Sequence, residues 1–294
     1  MGMRLRKTYK GSDVFRTTGL PVALNGFTYI LASVTCFSVV SLAVKKLNHI
    51  PFAELVFWRG IICLGIAYYF VWQKGLSPWG NNKKVLALRG LAGTCALLCF
   101  FYTLHAIPLA TAVTIQYLSP IFTVLVAGLF FNEAVRGRHW VAALMGFLGV
   151  WIIEGYDPSV SVGAAVIGIG GALASAFAYN SVRHLRESDH EWVIMFYFPL
   201  VATVVSGPIA ISNWQWPVGW DWGLLAVVGI LTQIAQLFLT RGYSMAPAAS
   251  IASVNYIGVI YAIIFGSLLF HEPISWSALA GILLILIGVA FSST

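Results

Sequence analysis

Residues 106–135 read AIPLATAVTIQYLSPIFTVLVAGLFFNEAV, and residues 245–274 read MAPAASIASVNYIGVIYAIIFGSLLFHEPI. A single offset of 139 residues aligns identical side chains of the two stretches: Pro108 with Pro247, Tyr117 with Tyr256, and Glu133 with Glu272. Chance matching among apolar residues does not easily produce a proline, a tyrosine and a glutamate at one offset. The chain is therefore predicted to contain two related halves.

The composition places both halves in a membrane. The chain is 59% hydrophobic and 9% charged, with a mean hydropathy of +0.85, whereas soluble domains carry about 25% charged residues. A spanning helix needs about 20 mostly apolar residues. Ten segments meet that requirement: 25–46, 52–73, 84–105, 108–131, 138–155, 163–183, 192–212, 222–241, 247–270 and 275–292. The expected fold is an all-α integral membrane protein with ten transmembrane helices.

Five helices in each half give the two halves opposite polarity, because five is odd. The expected organisation is a basic cytoplasmic tail at 1–23, a first repeat at 24–155 and an inverted second repeat at 156–294. The tail lacks a long apolar core, so it is not expected to be a cleavable signal peptide. Secondary transporters are commonly built from inverted repeats with the substrate site between them near the midplane.

The positive charges set the orientation. With the N-terminus in the cytoplasm, thirteen of the seventeen Lys and Arg lie on the cytoplasmic side, and only Lys45 and Lys46 lie outside. This asymmetry follows the positive-inside rule. It predicts a multi-pass protein of the plasma (bacterial inner) membrane with both termini cytoplasmic. It also accounts for the net charge of +7, so no nucleic-acid partner is expected.

Several short motifs carry a family resemblance. They are Pro51, Glu54 and Arg59 at the second helix, FYTLHAIPLATA (101–112), YLSPIF (117–122), LFFNE (129–133), GFLGVWII (146–153), YSMAPAASIASV (243–254), GSLLFHEP (266–273) and GILLILIGV (281–289). The chain resembles EamA-type carriers of the drug/metabolite transporter superfamily, which have ten helices in two EamA repeats. It departs from the pattern where Val259 stands opposite Pro120. The resemblance implies a pump-free carrier of small metabolites, with a central cavity lined by helices 1, 3, 4, 6, 8 and 9.

The acidic residues restrict the kind of transport. All ten fall in predicted loops or in the terminal turns of helices, whereas proton-coupled carriers commonly use an intramembrane carboxylate. This favours a facilitator or exchanger of a neutral, zwitterionic or anionic solute. Two alternatives are an exporter of amino acids or related solutes and a non-transporting membrane interaction protein. An enzyme is disfavoured because no catalytic or metal-binding motif is present, and no cofactor or metal is expected.

Amides and phenols near the predicted midplane are the candidate substrate-binding residues. They are Tyr102, Gln116, Tyr117, Tyr179, Asn180, Gln233, Gln236, Asn255, Tyr256 and Tyr261. Polar groups buried in lipid need partners, so interhelical hydrogen bonds are the alternative for each. The expected partners of the protein are a small-molecule substrate and the lipid bilayer, and a homodimer is left open.

Four charged residues have two interpretations each. Arg59 and Arg89 lie within helices, each about 7–8 Å deeper than the charged residue five positions earlier. They either reach the surface or a carboxylate, or they face the cavity as an anion anchor or gate. Glu133 and Glu272 end equivalent helices, where the helix dipole disfavours a carboxylate. They are expected to gain hydrogen bonds from the next helix or its N-terminus, as structural clamps or as gates.

Overall fold

The computed structural model describes residues 22–131, 137–156, 161–185, 188–245, 257–272 and 275–293, and within these ranges it contains helices and no strand. The helices are α1 (Val22–Lys46), α2 (Phe52–Gln73), α3 (Lys83–Ala106), α4 (Leu109–Gln116), α5 (Ser119–Phe131), α6 (Gly137–Tyr156), α7 (Val162–Leu185), α8 (Glu191–Ile211), α9 (Asp221–Met245), α10 (Ile257–Phe270) and α11 (Trp276–Ser293). The all-α prediction is confirmed for this part of the chain. Three candidate site residues, Glu133, Asn255 and Tyr256, lie outside the described residues.

Seven of the described helical segments are long and apolar enough to cross a membrane. They run over 26–46, 52–73, 83–106, 109–130, 162–182, 191–211 and 221–242, and two shorter apolar helices cover 257–270 and 279–288. The chain is an integral membrane protein. The predicted segment 52–73 coincides with α2, because a mostly apolar run bounded by Pro51 and Lys74 defines both ends of the helix.

The segment predicted as one helix at 108–131 is interrupted. α4 ends at Gln116, and the N–H of Tyr117 reaches back to the carbonyls of Val113 (3.2 Å) and Thr114 (3.0 Å) in a tightened turn. α5 then restarts at Ser119 with a proline in its first turn, where the missing N–H leaves no hydrogen bond unmade. The interruption places residues 116–119 in the interior of the bundle.

The helices pack in pairs that are distant in sequence. α1 lies along α9, α3 along α7, α2 along α8, and α6 along α11. The pair α6–α11 shows how closely some of these helices approach. A Cβ added to Gly149 would stand 2.7 Å from the carbonyl oxygen of Gly281 and 2.5 Å from Ile285. Small residues are needed at such contacts, since helix association in lipid depends on close van der Waals packing.

Polar contacts tie the helix connections together at the end of the bundle where α1 finishes, which we call the Lys45 end. The carboxylate of Glu54 is buried there and accepts hydrogen bonds from Trp58 Nε1 (3.2 Å) and from the backbone N–H of Gln215 (2.9 Å). His49 Nε2 lies 3.1 Å from Asp221 Oδ2. These contacts join the starts of α2 and α9 to their neighbouring loops.

The opposite end of the bundle, where α3 begins, is the Lys83 end. Asp189 accepts hydrogen bonds there from the backbone N–H groups of Asn81 (2.5 Å) and Asn82 (3.3 Å). Arg241 of α9 and Glu191 of α8 form an ion pair of 3.5 Å. Both ends of the bundle are therefore linked across helices in this structure.

Candidate functional site

A cavity of about 190 Å³ lies in the middle of the bundle, beside the interruption between α4 and α5. Residues of α1, α3, α4, α5, α7, α9 and α10 line it. When α4 and α5 are counted as one interrupted helix, these are the helices 1, 3, 4, 6, 8 and 9 that the resemblance implied. α2 and α8 also contribute, with Arg59 and Phe198. The cavity thus draws on both halves of the chain.

The interrupted helix supplies the polar centre of the cavity. Gln116, Tyr117 and Ser119 line it together, because the turn between α4 and α5 brings these neighbouring residues to the cavity. The amide of Gln116 donates to Ser175 Oγ on α7 at 2.8 Å. Tyr179 on α7 and Gln236 on α9 complete the predicted residues found in the lining.

Tyr117 occupies its place because the residue opposite has no side chain. A Cβ added to Gly258 of α10 would collide with the Tyr117 hydroxyl oxygen. Gly258 is itself buried and lines the cavity. The phenol position therefore depends on a glycine in the other half of the chain.

Both intramembrane arginines turn toward the cavity. Arg59 and Arg89 are 4% and 5% exposed, and both line it. Arg59 Nε donates to Thr232 Oγ1 at 3.1 Å. Its guanidinium carbon lies 5.9 Å from the ring centre of Phe101 and 5.2 Å from that of Phe198. The guanidinium carbon of Arg89 lies 4.4 Å from the Phe198 ring centre. Among the described residues, neither side chain pairs with a carboxylate.

A smaller chamber of about 20 Å³ adjoins the two arginines. Gln233, Gln236, Thr232 and Thr240 of α9 line it. Gln233 is buried, and its Nε2 makes no hydrogen bond within the described ranges. A free buried amide donor next to the arginines is available to a solute or a water molecule.

Three other predicted residues lie outside the cavity lining. Asn180 is buried and donates through Nδ2 to the carbonyls of Thr123 and Ala176, each at 3.0 Å. Tyr102 packs edge-on against Phe52, and Tyr261 stacks on Phe265 with ring centres 6.1 Å apart. Sequence position alone does not separate these residues from the ones that face the cavity.

Several lining residues were not singled out by the sequence. They are Ser33, Ser38 and Ser41 of α1, Ser175 of α7, Thr232 of α9, and the aromatic residues Phe37, Phe100, Phe101, Phe198 and Phe265. Serine and phenylalanine are ordinary packing residues of membrane helices, so no local signal distinguishes those that line a cavity.

The cavity carries positive charge. The described residues that line it include two arginines and no Asp, Glu, Lys or His. In the part of the chain that the structure describes, no group of His, Cys, Asp and Glu is placed to hold a metal ion. The arrangement can hold a small solute by hydrogen bonds, aromatic contacts and cationic groups.

A helical membrane protein with a polar cavity beside an interrupted helix has the architecture of a transporter. The chain belongs to the EamA-like transporter family, whose model matches residues 24–155 and again residues 162–294. The prediction of a transporter with two EamA repeats, rather than an enzyme, is confirmed by this membership.

Two transporters with named solutes match nearly the whole chain. A pseudopaline exporter of Pseudomonas aeruginosa strain UCBPP-PA14 is 33% identical over 269 residues, which is 90% of this chain and 94% of the relative. An S-adenosylmethionine uptake transporter of Rickettsia felis is 27% identical over 281 residues, covering 92% and 93% of the two chains. One solved crystal structure superposes with a TM-score of 0.61 at 21% identity over 93% of this chain and 96% of the other, which shows the shared fold.

Proposed function

We propose that the chain moves a small organic metabolite across the bacterial inner membrane by alternating access, as a facilitator or exchanger. The observation that carries this proposal is the 190 Å³ cavity, placed at the interrupted helix and lined by polar residues from both halves. A volume below the roughly 300–1,000 Å³ of drug-sized sites favours a small solute.

The proposed architecture is ten transmembrane helices in two inverted repeats, 24–155 and 156–294, after a cytoplasmic tail at 1–23. The packing supports it. Exchanging the two halves turns the pair α1–α9 into the pair α7–α3, and it leaves the pairs α2–α8 and α6–α11 unchanged. Such a pattern is expected of two similar halves related by a pseudo-two-fold axis. The family match over 24–155 and 162–294 supports the same division.

The proposed binding residues are the predicted ones that line the cavity: Gln116, Tyr117, Tyr179 and Gln236. Gln233 would serve the adjoining chamber. Asn255 and Tyr256 stay predictions, since they lie outside the described residues. Uncharged donors and acceptors beside aromatic rings suit a polar organic solute, because each buried polar group of the solute needs a partner.

The Lys45 end is the proposed closed gate of this state. Glu272 contacts Lys45 and the start of α4 there, and so links α1 and α4 to the end of α10. The repeat offset that takes Glu133 to Glu272 and Lys45 to His184 suggests an equivalent clamp near the Lys83 end. Alternation would require the two clamps to open in turn.

Direction of transport is a separate question. One relative of the family exports its solute and another takes its solute up, so the same architecture serves both directions. Export of amino acids or related solutes is the second candidate function, and the exporter at 33% identity supports the direction of transport in this candidate. The bacterial sources of these relatives support the inner membrane as the location.

A homodimer stays a prediction, which sedimentation of the purified protein tests.

Filling the cavity tests the proposal. Ala96→Trp would place a large side chain in the cavity, while Ala87→Trp would place it on the exposed face of the same helix. A metabolite panel grouped by charge is first screened for compounds that raise the unfolding temperature of the wild-type protein. Transport of any hit into proteoliposomes should be abolished by Ala96→Trp and retained by Ala87→Trp. Equal transport by the two variants, both folded, would place the pathway elsewhere.

A further inference from the structure

Arg59 and Arg89 reach the cavity from opposite ends of the bundle. Arg59 lies seven residues after Phe52, at the Lys45 end of α2, and Arg89 lies six residues after Lys83, at the Lys83 end of α3. Their guanidinium carbons lie 5.2 Å and 4.4 Å from the ring centre of the same residue, Phe198. The two distances together limit the separation of the guanidinium groups to 9.6 Å.

Among the described residues, neither guanidinium group forms an ion pair with a carboxylate, and no Asp or Glu lines the cavity. Arginine keeps its proton in proteins, so both groups stay cationic while buried. The faces of Phe101 and Phe198 attract the guanidinium groups but do not neutralise them. A buried charge without a partner is strongly unfavourable. The compensating negative charge would therefore arrive with the solute.

We propose that Arg59 and Arg89 form a two-point anion site for an organic dicarboxylate, with one guanidinium group binding each carboxylate. This inference rests on the proposed transport function and names the class of solute for the same cavity. The planar guanidinium fork matches a carboxylate through two parallel hydrogen bonds. The Nε of Arg89 is buried and has no hydrogen-bond partner among the described residues.

The walls favour a carbon skeleton over a compact inorganic anion. Phenyl rings of Phe37, Phe100 and Phe265 and several aliphatic side chains line the cavity between the polar groups. An inorganic phosphate would leave these apolar walls uncovered, whereas the methylene groups of a dicarboxylate would contact them. Gln236 also lines the cavity and can contact further polar groups of the solute.

The test is ligand-induced stabilisation of the purified 294-residue chain at constant ionic strength. The probes are malonate, succinate, glutarate and adipate as dicarboxylates, butanoate as a monocarboxylate and succinamide as a neutral analogue. At least one dicarboxylate should raise the unfolding temperature at a concentration about tenfold or more below that required of butanoate, and succinamide should have no effect. Stabilisation by succinamide equal to that by succinate would overturn the proposal.

Substitutions of the arginines test whether these residues cause the preference for dicarboxylates. Arg89→Gln should weaken dicarboxylate binding about tenfold to hundredfold and leave a dicarboxylate no better than butanoate. Lys83→Gln removes one positive charge from the exposed start of the same helix and should leave the preference unchanged. A dicarboxylate preference that survives in folded Arg89→Gln would contradict the two-point site.

A second substitution keeps the test decisive if Arg59→Gln or Arg89→Gln does not fold. Arg59→Lys and Arg89→Lys retain the charge and lose the planar fork. Each should keep the preference for dicarboxylates with weaker binding, and loss of the preference with the charge intact would count against the site. Transport of a neutral or zwitterionic solute that Ala96→Trp blocks, with no dicarboxylate binding, would reject this inference and leave the proposed transport function standing.

Discussion

Lys45 Nζ lies 3.0 Å from Glu272 Oε1, and the pair joins the end of α1 to the segment after α10. The other carboxylate oxygen of Glu272 accepts a hydrogen bond of 2.8 Å from the backbone N–H of Leu109, at the start of α4. Lys45 also donates to the carbonyl of Ile107 at 2.7 Å. A carboxylate is unfavourable after a helix C-terminus but favourable at a helix N-terminus. Glu272 is stabilised because it caps a helix of the other half.

Glu272→Gln should therefore destabilise the protein. The substitution keeps the size of the side chain but removes the charge that attracts Lys45 and the α4 N-terminus. We expect a loss of about 1–2 kcal/mol in the free energy of unfolding, because both contacts are largely shielded from solvent. Glu191→Gln is the matched control, since its pair with Arg241 is longer, at 3.5 Å, and more exposed. That change should cost less than about 0.5 kcal/mol. Unfolding of the two variants in detergent measures the difference, and equal losses would contradict the clamp.

Gly258→Ala should weaken solute binding by displacing Tyr117. The added methyl group would occupy the place of the Tyr117 hydroxyl, so the phenol must leave its position in the cavity. Gly170→Ala on α7 is the control, because nothing lies within 4 Å of its added Cβ. The control should keep affinity and gain up to about 1 kcal/mol from helix propensity. Titration of the solute found by the stability screen compares the variants, and unchanged affinity in Gly258→Ala would separate Tyr117 from binding.

Gln116 and Ser175 should be energetically coupled. Their side chains share a hydrogen bond of 2.8 Å between α4 and α7, and Gln116→Leu and Ser175→Ala each remove it. A double-mutant cycle on stability should yield a coupling of about 0.5–1.5 kcal/mol. Ser41 of α1 lines the same cavity without a hydrogen bond to Gln116. Ser41→Ala should add to Gln116→Leu within about 0.5 kcal/mol, and a coupling as large as that of Ser175 would indicate an indirect effect.

Substitution of Asn180 should lower mainly the stability of the protein, whereas substitution of Gln236 should lower mainly its affinity for the solute. Asn180→Leu removes two hydrogen bonds to the Thr123 and Ala176 carbonyls and should lower stability by about 1–3 kcal/mol. It should leave solute affinity unchanged at temperatures where the protein is folded. Gln236→Leu removes a cavity-lining amide and should lower affinity with little change in stability. Melting curves and binding isotherms of both variants decide, and a loss of affinity in Asn180→Leu would return Asn180 to the candidate binding residues.

The positions of the helices followed closely from the amino-acid sequence. α2, for instance, begins and ends at the predicted residues, because its ends coincide with the change from apolar run to polar turn. The interruption at Tyr117 did not follow. Every residue near it is compatible with a continuous apolar helix, and Pro120 suits the first turn of a helix without requiring one. The tightened turn is seen only in the folded structure, where Gln116, Tyr117 and Ser119 line the cavity.

For the two arginines, too, one property was predictable from the sequence and another was not. Their depth in the helices was readable from the spacing to Glu54 and Lys84, and it allowed both snorkelling and a cavity-facing position. The structure turns both inward, because aromatic faces and Thr232 receive them there. Those contacts connect α2 and α3 of the first half with α8 and α9 of the second half.

The amino-acid sequence by itself determined that the chain is a helical membrane protein with two related halves and an EamA-type transporter pattern. These properties depend on composition, apolar run length and an internal offset, all of which are local or directly comparable along the chain. Only the tertiary structure decided which polar residues share a cavity. It also decided that Asn180 donates a hydrogen bond to α5 and does not line the cavity, and that Arg59 and Arg89 both contact Phe198. Membrane helices are apolar on nearly every face, so their rotation and pairing are set by close packing between distant segments.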